Sequence, residues 1–458
     1  MDSISREMAV FARNLTYADV PAAAKHEAKR FLLDSVGCAL AATRNEDMRA
    51  MLRFTEKLGG TPEATVIGSG LRTNVPNAAL MNCLLTRAMD YNDIYWEQDP
   101  SHPSDLIGAA LSAAEANGKN GAETLTAIVL AYELEMRWCH AAHPGVREVG
   151  WHHATLTQFV SPLVAGKLYD LDLDQLVAAV GISGSSHFTL GGVVAGHLTN
   201  MKNTADPLAA QAGVIAALMA REGYEGPVEV IEGKEGLIEV ISNVEWKTDE
   251  LLKGLGEEFI ITRCGYKAYP SEALTHQPIS AALQARSTLG VTHDEVAEIL
   301  VETTTRGADI LSDPSKYKPE TKETADHSLP YVIAAAIVDG NVLPNSFSDE
   351  KLKDPAILAT LPKIKVVADP EIDALFPGVK RARVTITCKD GRSHTAQTDV
   401  AKGAPENPLS DEEIAAKFQA NAQGIVNDDR LDEIVEATWN VDRATDIAAY
   451  MTLLISDV

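Results

Sequence analysis

The chain has 458 residues, a length at which two domains are expected rather than one hydrophobic core. Its 40 Lys and Arg against 65 Asp and Glu give a formal net charge of −25, which argues against nucleic acid and anionic membrane surfaces as partners. Aromatic residues are 5% of the chain and hydrophobic residues 45%, which favours packed helices over a β-sandwich. The net charge also repels small anions, so a carboxylate site would need basic side chains gathered in one place.

The cysteines and the N-terminal residues indicate the compartment. The cysteines are odd in number, widely spaced and without a C-x-x-C pair, so neither a disulfide framework nor a zinc site is expected. The N-terminal residues lack the continuous apolar core of a signal peptide, and no stretch reaches the roughly 18 apolar residues of a membrane span. We expect a cytoplasmic protein with no membrane partner.

Apolar residues at helical spacing predict a succession of helices up to about residue 265. Asp19 and Pro21 mark the start of an early helix that continues to Ala39. Glycine-containing segments such as Asn117–Gly121 separate the helical runs. The later helices are predicted at Val75–Met89, Leu106–Ala116, Glu123–Ala142, Ala154–Leu168, Leu173–Ser183 and Pro207–Glu222. We therefore expect an all-helical first domain.

The pattern changes after about residue 265, where strands alternate with helices. Arg383–Cys388 alternates apolar and polar residues and leads through Asp390-Gly391 into a second strand, which predicts a β-hairpin. Other strands are predicted at Glu298–Thr305 and Ile364–Val367, and helices at Gln277–Leu289 and Ser328–Val338. A linker over Gly403–Pro408 and a helix capped by Ser410 then follow. We expect an α+β domain over residues 266–404, and an all-helical domain made of residues 1–265 and 405–458.

The stretch DYNDIYWEQDPSHPSD, residues 90–105, has the highest density of functional side chains. If the preceding helix continues, Asp90 and Asp93 lie at i, i+3 on one face with Asn92 beside them. His102 then precedes a loop that delivers Ser104 or Asp105 as the N-cap of the next helix. This combination predicts a site for an anion with a proton-transfer pair. The alternative is an ordinary set of acidic helix ends and caps.

Two further segments carry candidate residues in the first half of the chain. His140 and His143 lie at i, i+3, but no third metal ligand follows, so a structural role is favoured over a metal site. His152 and His153 stand at the start of a helix, where proton transfer or carboxylate binding competes with a structural role. Lys202 lies between a polar turn and an apolar helix, so it either reaches solvent or binds an anion.

Two segments after the proposed domain boundary carry the remaining candidates. Lys267 and His276 could project into a cleft between the domains or be solvated. His327 and Tyr331 are expected on one helical face at i, i+4. The tyrosine is either a core residue or a positioned proton donor.

The segments described above resemble, in this order, the MmgE/PrpD family of 2-methylcitrate dehydratase, cis-aconitate decarboxylase and iminodisuccinate epimerase. The segment that contains Lys202 is one match. The other matching motifs are LLDSVGCALAA (32–42), RAMDYND (87–93), HPSD (102–105), KAYPSE (267–272) and ETADHSLPY (323–331). The resemblance covers nearly the whole chain. It implies a mainly α fold in which a large all-helical domain is joined by a smaller α+β lid domain. It also implies a homodimer without cofactor or metal, and an active site between the two domains.

The resemblance also implies which residues act. Asp90, His102, Lys202, Lys267, Tyr331 and one of His152 and His153 match positions of the family's active site. We expect Lys202, Lys267 and His102 to hold substrate carboxylates, His152 or His153 to share proton transfer with Asp90, and Tyr331 to protonate the leaving oxygen. Further residues expected to contact the substrate are Arg87, Asn92, Asp93, Ser104, Glu272, His276 and His327.

Three features place the chain nearer the dehydratase branch: the spacing from Ile94 to His102, Asn92, and Glu272 where the decarboxylase branch tends to have histidine. The family usually has threonine where this chain has Ile94, which bears on the substrate. The resemblance thus implies a hydro-lyase of propionate metabolism that dehydrates 2-methylcitrate or citrate. The alternatives are a cis-aconitate-type decarboxylase, an iminodisuccinate-type epimerase or isomerase, and a catalytically idle carboxylate-binding protein.

Overall fold

Helices form most of the chain in the computed structural model, which describes residues 3–195 and 198–457. The described residues gather into two units. The first holds the chain up to Val194, then Asn200–Cys264, then the chain from Ser410 onward; the second is mainly Gly265–Leu409. The predicted mainly α class is confirmed. The domain limits expected near residues 265 and 405 stay a prediction.

The helices of the first unit come before and after the second unit in the sequence. In chain order, the α-helices of the described residues are α1 (Ile4–Asn14), α2 (Ala22–Ala42), α3 (Glu46–Leu58), α4 (Val75–Arg87), α5 (Ile107–Ala116), α6 (Gly121–Ala141), α7 (Ala154–Thr157), α8 (Ser161–Leu168), α9 (Leu173–Gly184), α10 (Met201–Arg221), α11 (Leu237–Val240), α12 (Thr248–Leu252), α13 (His276–Leu289), α14 (Thr305–Leu311), α15 (Lys322–Ala325), α16 (Leu329–Asp339), α17 (Pro355–Thr360), α18 (Pro370–Asp373), α19 (Asp411–Ala422), α20 (Asp428–Trp439) and α21 (Ile447–Leu453). Helices α1–α12 and α19–α21 belong to the first unit and α13–α18 to the second. Helix α19 packs on α2, so the end of the chain is part of the first unit.

Within the part of the chain that the structure describes, the first unit has three short antiparallel strand pairs and the second has one sheet of four strands. The pairs are β1 (Ala64–Thr65) with β2 (Arg72–Thr73), β3 (Tyr95–Trp96) with β4 (Pro100–Ser101), and β5 (Ala142–His143) with β6 (Glu245–Trp246). The sheet strands are β7 (Val296–Thr303), β8 (Ile364–Ala368), β9 (Ala382–Cys388) and β10 (Ser393–Thr398). The pair β3–β4 closes the loop that carries the acidic stretch.

The sheet of the second unit has the order β10-β9-β7-β8. Strands β9 and β10 form an antiparallel hairpin, with Gly391 at a φ of 89° in the turn, as the Asp-Gly sequence predicts. Strand β7 pairs antiparallel with β9 and parallel with β8. Alternate residues of β9, including Val384 and Ile386, are buried because one face of the strand packs inward.

Helix α10 is central to the first unit and packs against α4, α8 and α9. It begins at Met201, so the predicted start at Pro207 is wrong. Proline is tolerated in this seventh position although it supplies no amide proton to the carbonyl of Asn203. The early start places Lys202 and Asp206 one turn apart on the same helix.

Two other predicted helices differ from the structure, both through local backbone chemistry. The helix predicted over Ala154–Leu168 is broken into α7 and α8. Pro162 cannot donate to the carbonyl of Gln158, which ends the first helix there. The helix predicted to reach Met89 ends at Arg87.

Close helix packing sets the position of the two helices that flank the acidic stretch. A Cβ on Gly108 of α5 would lie 2.5 Å from the backbone nitrogen of Cys83 in α4, so only glycine permits this approach. Helix α4 therefore runs directly beside α5. The end of α4 and the start of α5 are joined by residues 88–106. No described helix combines the length and apolar composition required to cross a membrane.

Candidate active site

The ionisable side chains at the end of α4, the start of α10 and the two segments between them meet in the first unit. We call this group the buried ionic cluster; it comprises Arg87, Asp90, Asp105, His152, His153, Lys202 and Asp206. Each of these residues is buried. Burial of so many charged groups is stable only if they compensate one another.

Asp90 is held between two cations. The Arg87 guanidinium forms an ion pair with Asp90, and Lys202 Nζ lies 3.2 Å from Asp90 Oδ2. Arg87 Nε also lies 3.6 Å from Asp105 Oδ2. Asp90 has a φ of 48°, a left-handed conformation that costs energy for a residue other than glycine. The helix has therefore ended, and the prediction that Asp90 and Asp93 share a helical face is wrong.

Asn92, Asp93 and Ser104 bond to one another across the loop. Ser104 donates to Asp93 from its backbone N–H at 3.0 Å and from its hydroxyl at 2.6 Å. Asn92 Nδ2 donates to Ser104 Oγ at 2.9 Å and to Asp105 Oδ1 at 3.0 Å. A 3-10 turn over Pro103–Leu106 precedes α5, so the predicted N-cap role of Ser104 or Asp105 is wrong. The substrate contacts expected of these residues stay a prediction.

His102 has a defined tautomer when neutral. Its Nδ1 lies 2.6 Å from the backbone oxygen of Asp93, and a carbonyl can only accept, so Nδ1 carries the proton. Nε2 then has the lone pair. The His102 ring centre lies 5.7 Å from that of His153. The side chain is buried next to the cluster.

His153 and Asp206 form the closest histidine–carboxylate pair of the cluster. His153 Nε2 lies 3.2 Å from Asp206 Oδ2, and His152 Nδ1 lies 3.9 Å from the same oxygen. His152 Nδ1 accepts the backbone N–H of Ala154 at 3.2 Å, so this nitrogen is already in use. Among the described residues, neither ring nitrogen of His153 meets hydrogen-bond geometry, so the 3.2 Å approach of Nε2 to Asp206 is an ion-pair contact and Nδ1 is not committed to another group. His153 is thus better placed than His152 to exchange a proton.

The pKa shifts separate the cluster into charged and neutral groups. Burial favours a raised pKa for Asp206, but the adjacent His153 outweighs burial and holds the pKa of Asp206 well below the ordinary range. Burial and the neighbouring His153 lower the pKa of His152, which is therefore neutral. Burial and the negative charge of Asp206 raise the pKa of Asp105 far above that of a free carboxyl. Asp206 is consequently the ionised carboxylate beside the two imidazoles.

A second buried carboxyl lies behind Asp206. Glu135 Oε1 accepts the hydroxyl groups of Ser101 at 2.9 Å and Thr157 at 2.8 Å, and Thr157 Oγ1 is 3.4 Å from Asp206 Oδ1. Burial raises the pKa of Glu135 from its ordinary 4.5 to about 8. Glu135 therefore holds a proton at neutral pH, although it is linked through Thr157 to the ionised Asp206.

The sequence predictions missed Asp206 and Glu135. Asp206 has a signal: it follows Lys202 by four residues, but the helix was expected to start only at Pro207. Glu135 lies within the apolar helix α6, where nothing in the sequence distinguishes it from a surface glutamate. His140 and His143 were expected to be structural, and they lie 3.4 and 3.8 Å from Glu250 Oε2.

His152, His153 and Asp206 also offer a geometry for a cation. One ligand atom from each lies within 4.8 Å of the others, and neutral imidazole and carboxylate are common metal ligands. No metal was expected from the sequence. The carboxylate–imidazole pairing serves proton transfer equally well.

In the second unit, Lys267 and His276 are buried and Glu272 caps a turn. Glu272 accepts the backbone N–H of Leu274 at 2.6 Å, which commits one carboxylate oxygen to the turn before α13. His276 begins α13, with its Nε2 3.3 Å from the backbone oxygen of Ser271. Lys267 is 1% exposed. The substrate contacts expected of these residues stay a prediction.

His327 and Tyr331 do not share a helical face, because α16 begins at Leu329 and Ser328 is its N-cap. That prediction is wrong. His327 Nδ1 lies 2.6 Å from the buried carboxylate of Asp326. The Tyr331 hydroxyl donates to the backbone oxygen of Ser346 at 2.7 Å, and burial raises its pKa. Tyr331 is thus a hydrogen-bonded core residue here, and its role as a proton donor stays a prediction.

Comparison with known proteins identifies relatives along the whole chain. Residues 6–249 match the MmgE/PrpD N-terminal domain and residues 269–441 the MmgE/PrpD C-terminal domain. The chain is 25% identical to a cis-aconitate decarboxylase of Aspergillus terreus, covering 98% of this chain and 96% of that protein, and 24% identical to that of Homo sapiens, covering 99% and 95%. It is 25% identical to a 2-methylcitrate dehydratase of Cupriavidus necator, covering 80% and 78%.

The raised pKa of Glu135 gives a pH-dependent stability. Between about pH 4.5 and pH 8 the unfolded side chain has lost its proton while the folded one keeps it, so the free energy of unfolding falls by up to ~1.4 kcal/mol per pH unit as pH rises. Glu135→Gln removes this titration and retains an acceptor for Ser101 and Thr157. The variant should gain about 2–4 kcal/mol relative to the wild type when pH rises from about 5 to about 8.

Urea unfolding of both proteins across this pH range measures the difference. The exposed Glu56→Gln is the matched control and should follow the wild-type curve at every pH. Parallel curves for Glu135→Gln and the wild type would show that Glu135 is ionised in the folded protein.

Proposed function

The chain belongs to the MmgE/PrpD family, and from this and the buried ionic cluster we propose that it is a lyase acting on small tricarboxylates. The proposal rests on one observation: Lys202 and Asp206 lie one turn apart on α10, and His153 contacts Asp206 there. Lys202 supplies positive charge within a protein of net charge −25, and His153 supplies a proton-transfer group.

Lys202 is proposed to hold a substrate carboxylate. An ammonium group has three N–H donors, so it can bond Asp90 and a substrate oxygen at the same time. Arg87 pairs with Asp90 and with Asp105, so its role is to fix Asp90. The left-handed backbone at Asp90 is retained because this pairing holds its carboxylate in place.

His153 is proposed as the group that removes the carbon-bound proton. Asp206 faces Nε2 and selects the tautomer that carries its proton there, so Nδ1 presents its lone pair. When Nδ1 takes the substrate proton, the ionised Asp206 stabilises the imidazolium. His102 is a further candidate: its neutral form, with the lone pair on Nε2, can act as a base, whereas its protonated form can donate to a carboxylate.

Dehydration of a hydroxylated tricarboxylate such as 2-methylcitrate or citrate is the first candidate reaction. A base removes a proton from the carbon next to a carboxylate, the neighbouring hydroxyl group leaves with a proton as water, and a double bond forms. Asn92, Glu272 and the spacing from Ile94 to His102 favour this branch. A place in propionate metabolism belongs to the same proposal.

Decarboxylation of cis-aconitate is the second candidate. The decarboxylases of Aspergillus terreus and Homo sapiens match 98% and 99% of this chain, whereas the dehydratase of Cupriavidus necator matches 80%. In this reaction carbon dioxide leaves in place of water and the resulting carbanion takes a proton. Because both reactions pass through a carbanion-like state, the same residues can serve either one.

Other parts of the proposal rest on the family resemblance. These are the roles of Lys267 and Tyr331, the action of the α+β part as a lid, the homodimer and the cytoplasmic location. Lys267 has the charge for a second carboxylate. For Tyr331 to protonate a leaving oxygen, its hydrogen bond to Ser346 would have to break.

Proton NMR of the purified protein with 2-methylcitrate, citrate and cis-aconitate in deuterated buffer tests the proposal. We expect 2-methylcitrate or citrate to yield an unsaturated tricarboxylate, because the cluster can remove a proton beside a carboxylate. Itaconate formed from cis-aconitate would instead establish the decarboxylase.

Two other NMR outcomes oppose the lyase proposal. Deuterium incorporation without net product would indicate an epimerase or isomerase. No change in any of the three compounds, with each still binding, would indicate a catalytically idle carboxylate-binding protein.

Substitution of the adjacent histidines separately tests the assignment of the base. His153→Gln should lower kcat by about 100- to 10,000-fold, since it removes the proton-transfer nitrogen. His152→Gln keeps an acceptor for Ala154 N–H and should lower kcat less than about tenfold. Steady-state kinetics of the two variants decides which histidine is the base, and thermal unfolding checks that both variants are folded. The reverse ranking would assign the proton transfer to His152.

A further inference from the structure

A buried lysine of helix α19 contacts the loop that carries Asp90. Lys417 Nζ donates to the backbone oxygen of Tyr91 at 2.7 Å and lies 3.8 Å from the centre of the Tyr91 ring. The lysine side chain is 7% exposed. Lys417 thus fixes both the backbone and the ring of the residue that follows Asp90.

Asp34 of α2 supplies the counter-charge. Its Oδ1 lies 2.7 Å from Lys417 Nζ, and its side chain is 1% exposed. Burial raises the pKa of Asp34, and Lys417 opposes that shift. Asp34 lies in the LLDSVG segment, which the proposed reaction does not use. A buried ion pair of this kind adds little stability over apolar residues, which suggests a different purpose.

The backbone at Asp90 explains why this loop needs to be held. Asp90 is left-handed, with a φ of 48°, and such a conformation persists only where the surroundings determine it. Arg87 and Lys202 hold the Asp90 side chain. Lys417 donates to the carbonyl of Tyr91, so the loop is held at the Asp90 side chain and at the backbone one residue later.

We propose that Lys417 and Asp34 form a positioning pair that keeps Asp90 and its loop in the geometry required for turnover. This inference rests on the proposed function, in which Lys202 pairs with Asp90 while it holds a substrate carboxylate. Lys417 and Asp34 act as positioning residues, through their contact with each other and with Tyr91. Through this pair, helix α19 helps to position the Asp90 loop of the first unit.

The double variant Lys417→Met/Asp34→Asn tests the pair without leaving a buried charge unpaired. We expect amide hydrogen exchange in residues 88–94 to accelerate about tenfold or more, because the Tyr91 carbonyl loses its anchor. We expect kcat to fall about 100-fold, the scale that a displacement of 1 Å can produce. Asp34→Asn alone keeps the lysine contact to Tyr91 and should lose less than about tenfold.

The matched control is Lys29→Met/Asp442→Asn. Lys29 also donates to a backbone oxygen, that of Trp439 at 2.8 Å, and pairs with Asp442 at 2.5 Å. It ties α2 to the C-terminal region away from the Asp90 loop, so this variant should keep both the exchange pattern of residues 88–94 and kcat. If kcat and the exchange protection of residues 88–94 fall to a similar extent in both double variants, Lys417 contributes only to general stability.

The exchange measurement keeps the two proposals distinguishable. Unchanged exchange in residues 88–94 of Lys417→Met/Asp34→Asn overturns the positioning pair, whether or not the wild type turns over a tricarboxylate. Faster exchange with full activity overturns its catalytic part. If the wild type converts none of the tricarboxylates, the proposed function fails, and exchange alone decides whether the pair holds the loop.

Discussion

The structure of the first unit depends on one constraint: charged side chains removed from water must compensate one another. Asp206 illustrates this most directly, because it stays ionised within the core through the nearby imidazole of His153. Asp105, buried next to the negative charge of Asp206, is instead driven toward its protonated form. Burial makes the cluster costly, but it also moves the pKa values of neighbouring groups apart. At a single pH some groups therefore hold a proton while others have lost theirs, as acid–base catalysis requires.

Helix α10 brings these groups together because Lys202 and Asp206 extend from one face, one turn apart. The left-handed turn at Asp90 gives the loop after α4 the direction needed to meet Lys202. The site is therefore assembled by the ends of helices and by an unusual backbone turn. Such a site can keep its acid–base residues while its surrounding loops change, which fits a family whose relatives include both decarboxylases and dehydratases.

Much of this could be predicted from the sequence, because helical periodicity and turn residues are local signals. The hairpin at Asp390-Gly391 and the helix capped by Ser410 lie where the sequence places them. The errors occur where tertiary packing or backbone strain overrides local preference, as at Pro207 inside α10 and at Asp90. Asp206 was missed because its helix was expected to start only at Pro207, and Lys417 could not be assigned because its partners come from distant parts of the chain.

The central claim is that the buried ionic cluster binds the tricarboxylate and that His153 faces its reacting carbon. A crystal structure with tricarballylate, a saturated tricarboxylate that has no hydroxyl group to eliminate, tests this most directly. The account predicts one ligand carboxylate within hydrogen-bond distance of Lys202 Nζ and a methylene carbon facing His153 Nδ1. A ligand bound with contacts to neither Lys202 nor His153 would contradict it.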